Sequence, residues 1–142
     1  MSEQGHRQLR VWQRGMELAV EIHRLTRAFP REEVYGLVSQ MRRAAVSIPS
    51  NIAEGYGRGG KDYARFVSMA YGSLLELETQ LELARRFEYL DATTHAAASS
   101  TCSEVGRMLN GLRTSLIANR PETDKVGCGV QGAGCKLQQT EP

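Results

Sequence analysis

The chain has little that would anchor it in a membrane or cross-link it. Its 142 residues include only 3 cysteines, an odd number, and no run of about 18 apolar residues. The first ten residues are largely polar and lack the apolar segment of a secretion signal. We therefore expect a cytoplasmic chain without a membrane span, in which Cys102, Cys128 and Cys135 are free thiols.

Groups that would form a metal or catalytic site are also scarce. Cys128 and Cys135 are too widely spaced for a zinc knuckle and have no histidine nearby. A di-iron site of the kind found in helical bundles needs two inward Glu-x-x-His pairs, which three scattered histidines do not supply. Ser47 and Ser50 have no histidine close in sequence to activate them. We expect no metal, no cofactor and no enzymatic activity.

Four amphipathic segments are present instead. Apolar residues recur at helical spacing over about 9–28, from about 32–35 to 55, over about 62–87, and from a start after Asp91 with Thr93 or Thr94 as the N-cap. Pro49 lies inside the second segment, where we expect a kink and not a break. The pattern predicts an all-α fold, an antiparallel up-and-down four-helix bundle over 1–119, followed by a disordered tail over 120–142.

The glycine-rich segment GYGRGG, residues 55–60, is predicted to be a flexible loop between the second and third helices. With Lys61 and Asp62 it resembles a nucleotide-binding phosphate loop, but a helix precedes it and Asp62 replaces the required hydroxyl. Two interpretations remain for this segment: a plain connection, or a weak phosphate site formed by glycine amides together with Arg58 and Lys61.

The second helix carries a polar stripe beside its apolar one. Small amides and hydroxyls in such a stripe favour hydrogen bonds to another chain segment over simple solvation. Several apolar residues of the second and third helices, among them Val46 and Leu83, also lie off the main stripes, which indicates a homo-oligomer. The predicted subunit or partner interface consists of Gln40, Arg43, Ser47, Asn51, Glu54, Tyr71, Leu75 and Glu78, with Glu78 facing Arg42 or Arg43.

Charge is distributed unevenly although the net charge is only +2. Residues 1–65 hold 11 Lys and Arg against 7 Asp and Glu, whereas residues 66–119 hold 4 against 6. The basic part either pairs with the acidic third helix or binds a polyanion. For the second interpretation, the candidate nucleic-acid-binding residues are Arg7, Arg10, Arg14, Arg42, Arg43, Arg58, Lys61 and Arg65.

Three sequence words carry a resemblance to a known family. VWQ at residues 11–13, QMRRAAVSIPSNIAEG at 40–55 and GSLLELETQL at 72–81 resemble the bacterial four-helix-bundle proteins encoded within intervening sequences of 23S rRNA genes. The resemblance extends to the accessory variability protein of diversity-generating retroelements. It implies a four-helix bundle and, from the retroelement relatives, a pentameric ring.

Two functions are compatible with these observations. The first is a non-enzymatic, oligomeric protein that binds RNA or DNA through its basic surface without reading bases. The second is a structural or adaptor scaffold that binds a protein partner through the polar stripe of the second helix.

Overall fold

The computed structural model describes residues 5–119, and in that range all regular structure is helical. The four helices are α1 (Arg10–Thr26), α2 (Leu37–Arg58), α3 (Gly60–Arg86) and α4 (Ala92–Ala118). Short 3₁₀ turns at Gly5–Gln8 and Arg31–Glu33 precede α1 and α2. The predicted disordered tail, residues 120–142, lies outside the described residues, as do Cys128 and Cys135.

The helices form the predicted antiparallel up-and-down bundle. Each helix packs against its neighbour in sequence, and α1 also packs against α4, which closes the bundle. The apolar stripes read from the sequence supply the core, because residues three and four apart share one helix face. Its fully buried large side chains include Leu18 and Ile22 of α1, Met41, Ile48 and Ile52 of α2, Leu74, Leu77 and Leu81 of α3, and Val105 and Leu109 of α4.

The connection between α2 and α3 is much shorter than predicted. A single residue, Gly59, joins the two helices, so the flexible loop expected over 55–60 was wrong. Gly59 adopts φ +67°, a left-handed conformation that favours glycine, and it reverses the chain. Gly55 is buried inside α2 and serves a different purpose, the close approach of α3.

Pro49 is accommodated inside α2, which continues through it as predicted. The Ser50 hydroxyl donates to the carbonyl of Val46 at 2.8 Å, and the Asn51 amide donates to the carbonyl of Ser47 at 2.8 Å. These side chains therefore add hydrogen bonds to the helix around the proline, where the backbone ladder lacks one donor.

The start of α4 differs from the predicted cap. Asp91 is the N-cap, and its carboxylate accepts a hydrogen bond from the backbone amide of Thr94 at 2.7 Å. The prediction of Thr93 or Thr94 was wrong because a capping side chain accepts from an amide two or three residues later, which places Thr94 in the donor position.

Within residues 5–119, no helix combines the length and apolar character needed to cross a membrane.

Candidate nucleic-acid interface

One end of the bundle collects basic residues from segments that are distant in sequence. The turn before α1 packs against the last turns of α2, so that a Cβ atom placed on Gly5 would lie 3.6 Å from the Tyr56 ring. The antiparallel topology brings the start of α3 to the same end. We call this region the basic end and define it as Arg7, Arg10, Arg58, Lys61 and Arg65, all of which are exposed.

The ring of Phe66 makes cation–π contacts with two of these residues. The guanidinium groups of Arg58 and Arg65 lie 5.1 and 5.2 Å from the centre of its ring. Arg58 also pairs with Glu54 at 3.2 Å and with Asp62 at 3.5 Å, and Arg65 lies 3.8 Å from Asp62. These ion pairs are exposed, so they position the guanidinium groups more than they stabilise the fold. Among the described residues, the ion pairs of Arg58 and Arg65 involve two carboxylates, Glu54 and Asp62.

Arg14 lies one helical turn after Arg10 on α1 and is half-buried. Its guanidinium donates to Glu104 of α4 at 2.9 Å and to Glu17 at 2.6 Å. The hydrogen bond that Arg14 donates to Glu104, followed by the one it donates to Glu17, raises the pKa of Arg14 above its usual value. Because its half-buried side chain bonds to a residue of another helix, Arg14 serves as a link between α1 and α4.

Arg42 and Arg43 lie away from the basic end. Arg43 precedes Arg58 by four turns of α2, a distance of about 22 Å along the helix. Arg42 donates to the Thr26 hydroxyl at 2.9 Å and to the carbonyl of His23 at 3.2 Å, and thereby satisfies groups at the end of α1. The eight predicted cations therefore do not form one surface.

Aromatic side chains at the basic end were not among the predicted site residues. Tyr56 is 41% exposed and meets Tyr63 edge to face, with ring centres 5.8 Å apart. Desolvation, followed by the nearby Tyr56, raises the pKa of Tyr63. His6 and Trp12 make a similar contact at 5.1 Å. An exposed aromatic among cations can stack on a nucleobase, and the sequence signal for it was Tyr56 two residues before Arg58.

The polar stripe of α2 faces α3. The Ser47 hydroxyl bonds to the Ser73 hydroxyl, and the Asn51 amide donates to the carbonyl of Ser47. The expected hydrogen bond to another chain segment is thus made by Ser47 within the bundle. The remaining stripe residues have different surroundings. Glu54 pairs with Arg58. Gln40 and Arg43 line a groove between α2 and α3 of about 350 Å³, whose other lining residues are Ala44, Ser47, Ser73 and Glu76.

The predicted interface residues of α3 have mixed environments. Leu75 is 48% exposed, whereas Tyr71 is half-buried beneath the guanidinium of Arg113, which lies 4.9 Å from its ring centre. Glu78 is half-buried, and Arg42 bonds to α1 instead of to it.

The described part of the chain offers no group of three His, Cys, Asp or Glu side chains that could hold a metal ion. The two serines considered as nucleophiles are engaged elsewhere, Ser47 with Ser73 and Ser50 with the carbonyl of Val46.

Comparison with known proteins identifies the family to which the chain belongs. Residues 7–111 match the family model described as 23S rRNA-intervening sequence protein. The chain belongs to this family. No curated protein matches it. A solved structure shares the fold, a protein with unknown function from the S23 ribosomal protein family of Bacteroides thetaiotaomicron VPI-5482, at 23% identity and a TM-score of 0.68. The likeness covers 73% of this chain and 95% of that one.

Proposed function

We propose that this member of the 23S rRNA-intervening sequence protein family is a non-enzymatic homo-oligomer whose basic end binds the phosphates of RNA or DNA without reading bases. The observation that carries the proposal is the meeting of Arg7 and Arg10 with Arg58, Lys61 and Arg65 at one end of the bundle. Phosphate contacts of this kind supply affinity and orientation but no sequence information.

The surroundings of the basic end support this function. Arg58 and Arg65 are held against Phe66, so less side-chain entropy is lost when they contact a phosphate. Exposed Tyr56 adds a flat surface on which any base can stack. Arg14 and Arg42 are half-buried and link α1 to α4 and to α2, so they are not part of this surface. Arg43 lies about 22 Å from Arg58 along α2 and is a separate cation.

Assembly would strengthen this binding. We take a pentameric ring as the leading state, because the sequence resembles the accessory variability protein of diversity-generating retroelements. A ring carries one basic end in each subunit. A nucleic acid long enough to reach two basic ends binds the second one intramolecularly, which raises its apparent affinity. A weak site in one subunit therefore suffices for measurable affinity.

A salt titration with a structured RNA tests the proposal. Affinity of the parent protein is expected to fall steeply between about 50 and 200 mM salt, because binding releases condensed counterions. The double variant Arg7→Ala/Arg10→Ala should reduce the slope of log K against log salt by about 1.4 to 1.8, since about 0.7 to 0.9 is lost per phosphate contact.

The matched control is Arg27→Ala/Arg31→Ala, which removes two exposed cations from the opposite end of the bundle. It should bind RNA as the parent does. Equal losses in both double variants would show that net charge matters and not the basic end. An assembled parent that binds no RNA at low salt would refute nucleic-acid binding.

The alternative function is a structural or adaptor scaffold. It is favoured by the groove between α2 and α3, where Gln40 and exposed Arg43 remain accessible beside Glu76. An RNA-independent protein complex that Arg43→Ala disrupts, while the basic-end variants leave it intact, would support this alternative.

A further inference from the structure

An apolar groove runs along the outside of the bundle between α1 and α2. It encloses about 460 Å³, and Trp12, Ala19, Pro49 and Ala53 are among the residues that line it. Three further lining residues, Met16, Val20 and Val46, are exposed by 43, 48 and 56%. We call it the α1–α2 groove. Apolar side chains so exposed and so close together are typical of an interaction surface.

Cations border this groove. Arg42 and Arg43 share the surroundings of Val46. At the Val20 end the charge is mixed, because Glu17 and Glu21 line the neighbouring hollow together with Arg24. His23 lines the groove itself. A partner that fits the Val46 end must therefore present apolar side chains flanked by carboxylates.

The outer face of α3 has that chemistry. Leu75 and Leu83 are 48 and 40% exposed, and eight residues of helix bring them to the same side. Glu76 and Glu82 are exposed beside them, and Glu82 is held by Arg86 at 3.0 Å. Gly72, one turn before Glu76, has open space around its Cβ position. We call this surface the α3 face.

The groove and the α3 face cannot meet within one subunit. α1 and α3 both pack against α2 and α4, which places them at diagonal corners of the bundle. Their edges adjoin at the groove between α2 and α3, which Arg43 and Glu76 both line. Their apolar parts lie on different corners of one subunit, and two copies of the chain can bring these parts together.

We propose that the α1–α2 groove of one subunit receives the α3 face of a second copy. This contact joins two different surfaces, so each added subunit leaves one groove and one α3 face unoccupied. Repetition gives a ring when the rotation closes and an open chain when it does not. The inference rests on the homo-oligomer part of the proposed function and specifies the surfaces that build it.

A mixing experiment tests this arrangement. Val46→Asp places a carboxylate in the groove, and Leu83→Asp places one on the α3 face; each should yield a folded monomer by circular dichroism and light scattering. A Val46→Asp subunit keeps an intact α3 face, and a Leu83→Asp subunit keeps an intact groove. An equimolar mixture should therefore form a 1:1 dimer, which cannot grow further.

Tyr35→Asp is the control, because Tyr35 is 97% exposed in the connection before α2 and lies on neither surface. It should assemble as the parent does. Val20→Asp is a second groove variant and should behave as Val46→Asp does.

Three outcomes would overturn the inference: a monomeric parent, a groove or α3-face variant that still assembles fully, or a mixture that stays monomeric. The last outcome would indicate a contact between identical surfaces. RNA binding by the basic end is measured separately, so a wrong interface and a failure of nucleic-acid binding are distinguishable.

Discussion

Gly55 of α2 lies in close contact with Phe66 of α3. A Cβ atom placed on Gly55 would lie 2.7 Å from Cβ of Phe66 and 3.3 Å from the carbonyl oxygen of Tyr63. Both are parts of α3 that no side-chain rotation can move. The absence of a side chain at residue 55 therefore sets the spacing of the two helices.

Alanine substitutions at two buried helical glycines should have opposite effects. Gly55→Ala should destabilise the fold by about 1–3 kcal/mol, because the methyl group forces α2 and α3 apart. Gly15→Ala should stabilise it by about 0.5–1 kcal/mol, since its Cβ would lie 3.6 Å from Ile48 and Pro49, an ordinary contact distance. Urea unfolding of both variants measures the difference. Equal urea midpoints for the two variants would mean that α2 and α3 can move apart without a loss of stability.

The Asp91 cap predicts a pH-dependent stability. The hydrogen bond from the Thr94 amide is the largest cause that lowers the pKa of Asp91. Its stabilising contribution is therefore present above the unfolded pKa, about 3.9, and is lost as the pH falls through the lower folded value. Asp91→Ala should lower Tm at pH 7, and its deficit should shrink below about pH 4.

Asp91→Asn is the control, because asparagine also caps helices but does not titrate. It should keep most of the parent Tm at pH 7. A deficit of Asp91→Ala that stays constant down to pH 2 would contradict the carboxylate cap.

Cys102 should be chemically inert in the folded protein. It is fully buried, and burial raises the pKa of its thiol to about 12. At pH 8 roughly one thiol in ten thousand is ionised. In a Cys128→Ser/Cys135→Ser background, a disulfide reagent should label Cys102 only after denaturation. Rapid labelling under native conditions would mean that α4 opens readily.

Gln80 is a buried polar side chain with an unsatisfied oxygen. It is 5% exposed, its amide donates to Glu76 at 3.3 Å, and within residues 5–119 its Oε1 has no hydrogen-bond partner. Gln80→Met keeps the volume and removes this cost, so we expect a gain of up to about 1 kcal/mol. Gln80→Glu should destabilise, because it buries a carboxylate beside Glu76. A less stable Gln80→Met variant would contradict this account.

The helices were predictable because a repeat of 3.6 residues reports directly on which face is buried. The turn at Gly59 was not, since every glycine in residues 55–60 permits a reversal and only tertiary packing shows that Gly55 is needed elsewhere. The sequence identified the basic residues but did not show which of them lie together at one end of the bundle. The pairing of Arg14 with Glu104 joins residues 90 positions apart, beyond the reach of any local pattern.

The one-residue connection at Gly59 also bears on the order of folding. α2 and α3 can meet with almost no loop to close, whereas contact between α1 and α4 requires most of the chain to be arranged. We expect the α2–α3 hairpin to form in the transition state and the α1–α4 contact to form after it. Substitutions at Phe66 should then slow folding, whereas loss of the Arg14 to Glu104 bond should mainly accelerate unfolding, which stopped-flow kinetics would resolve.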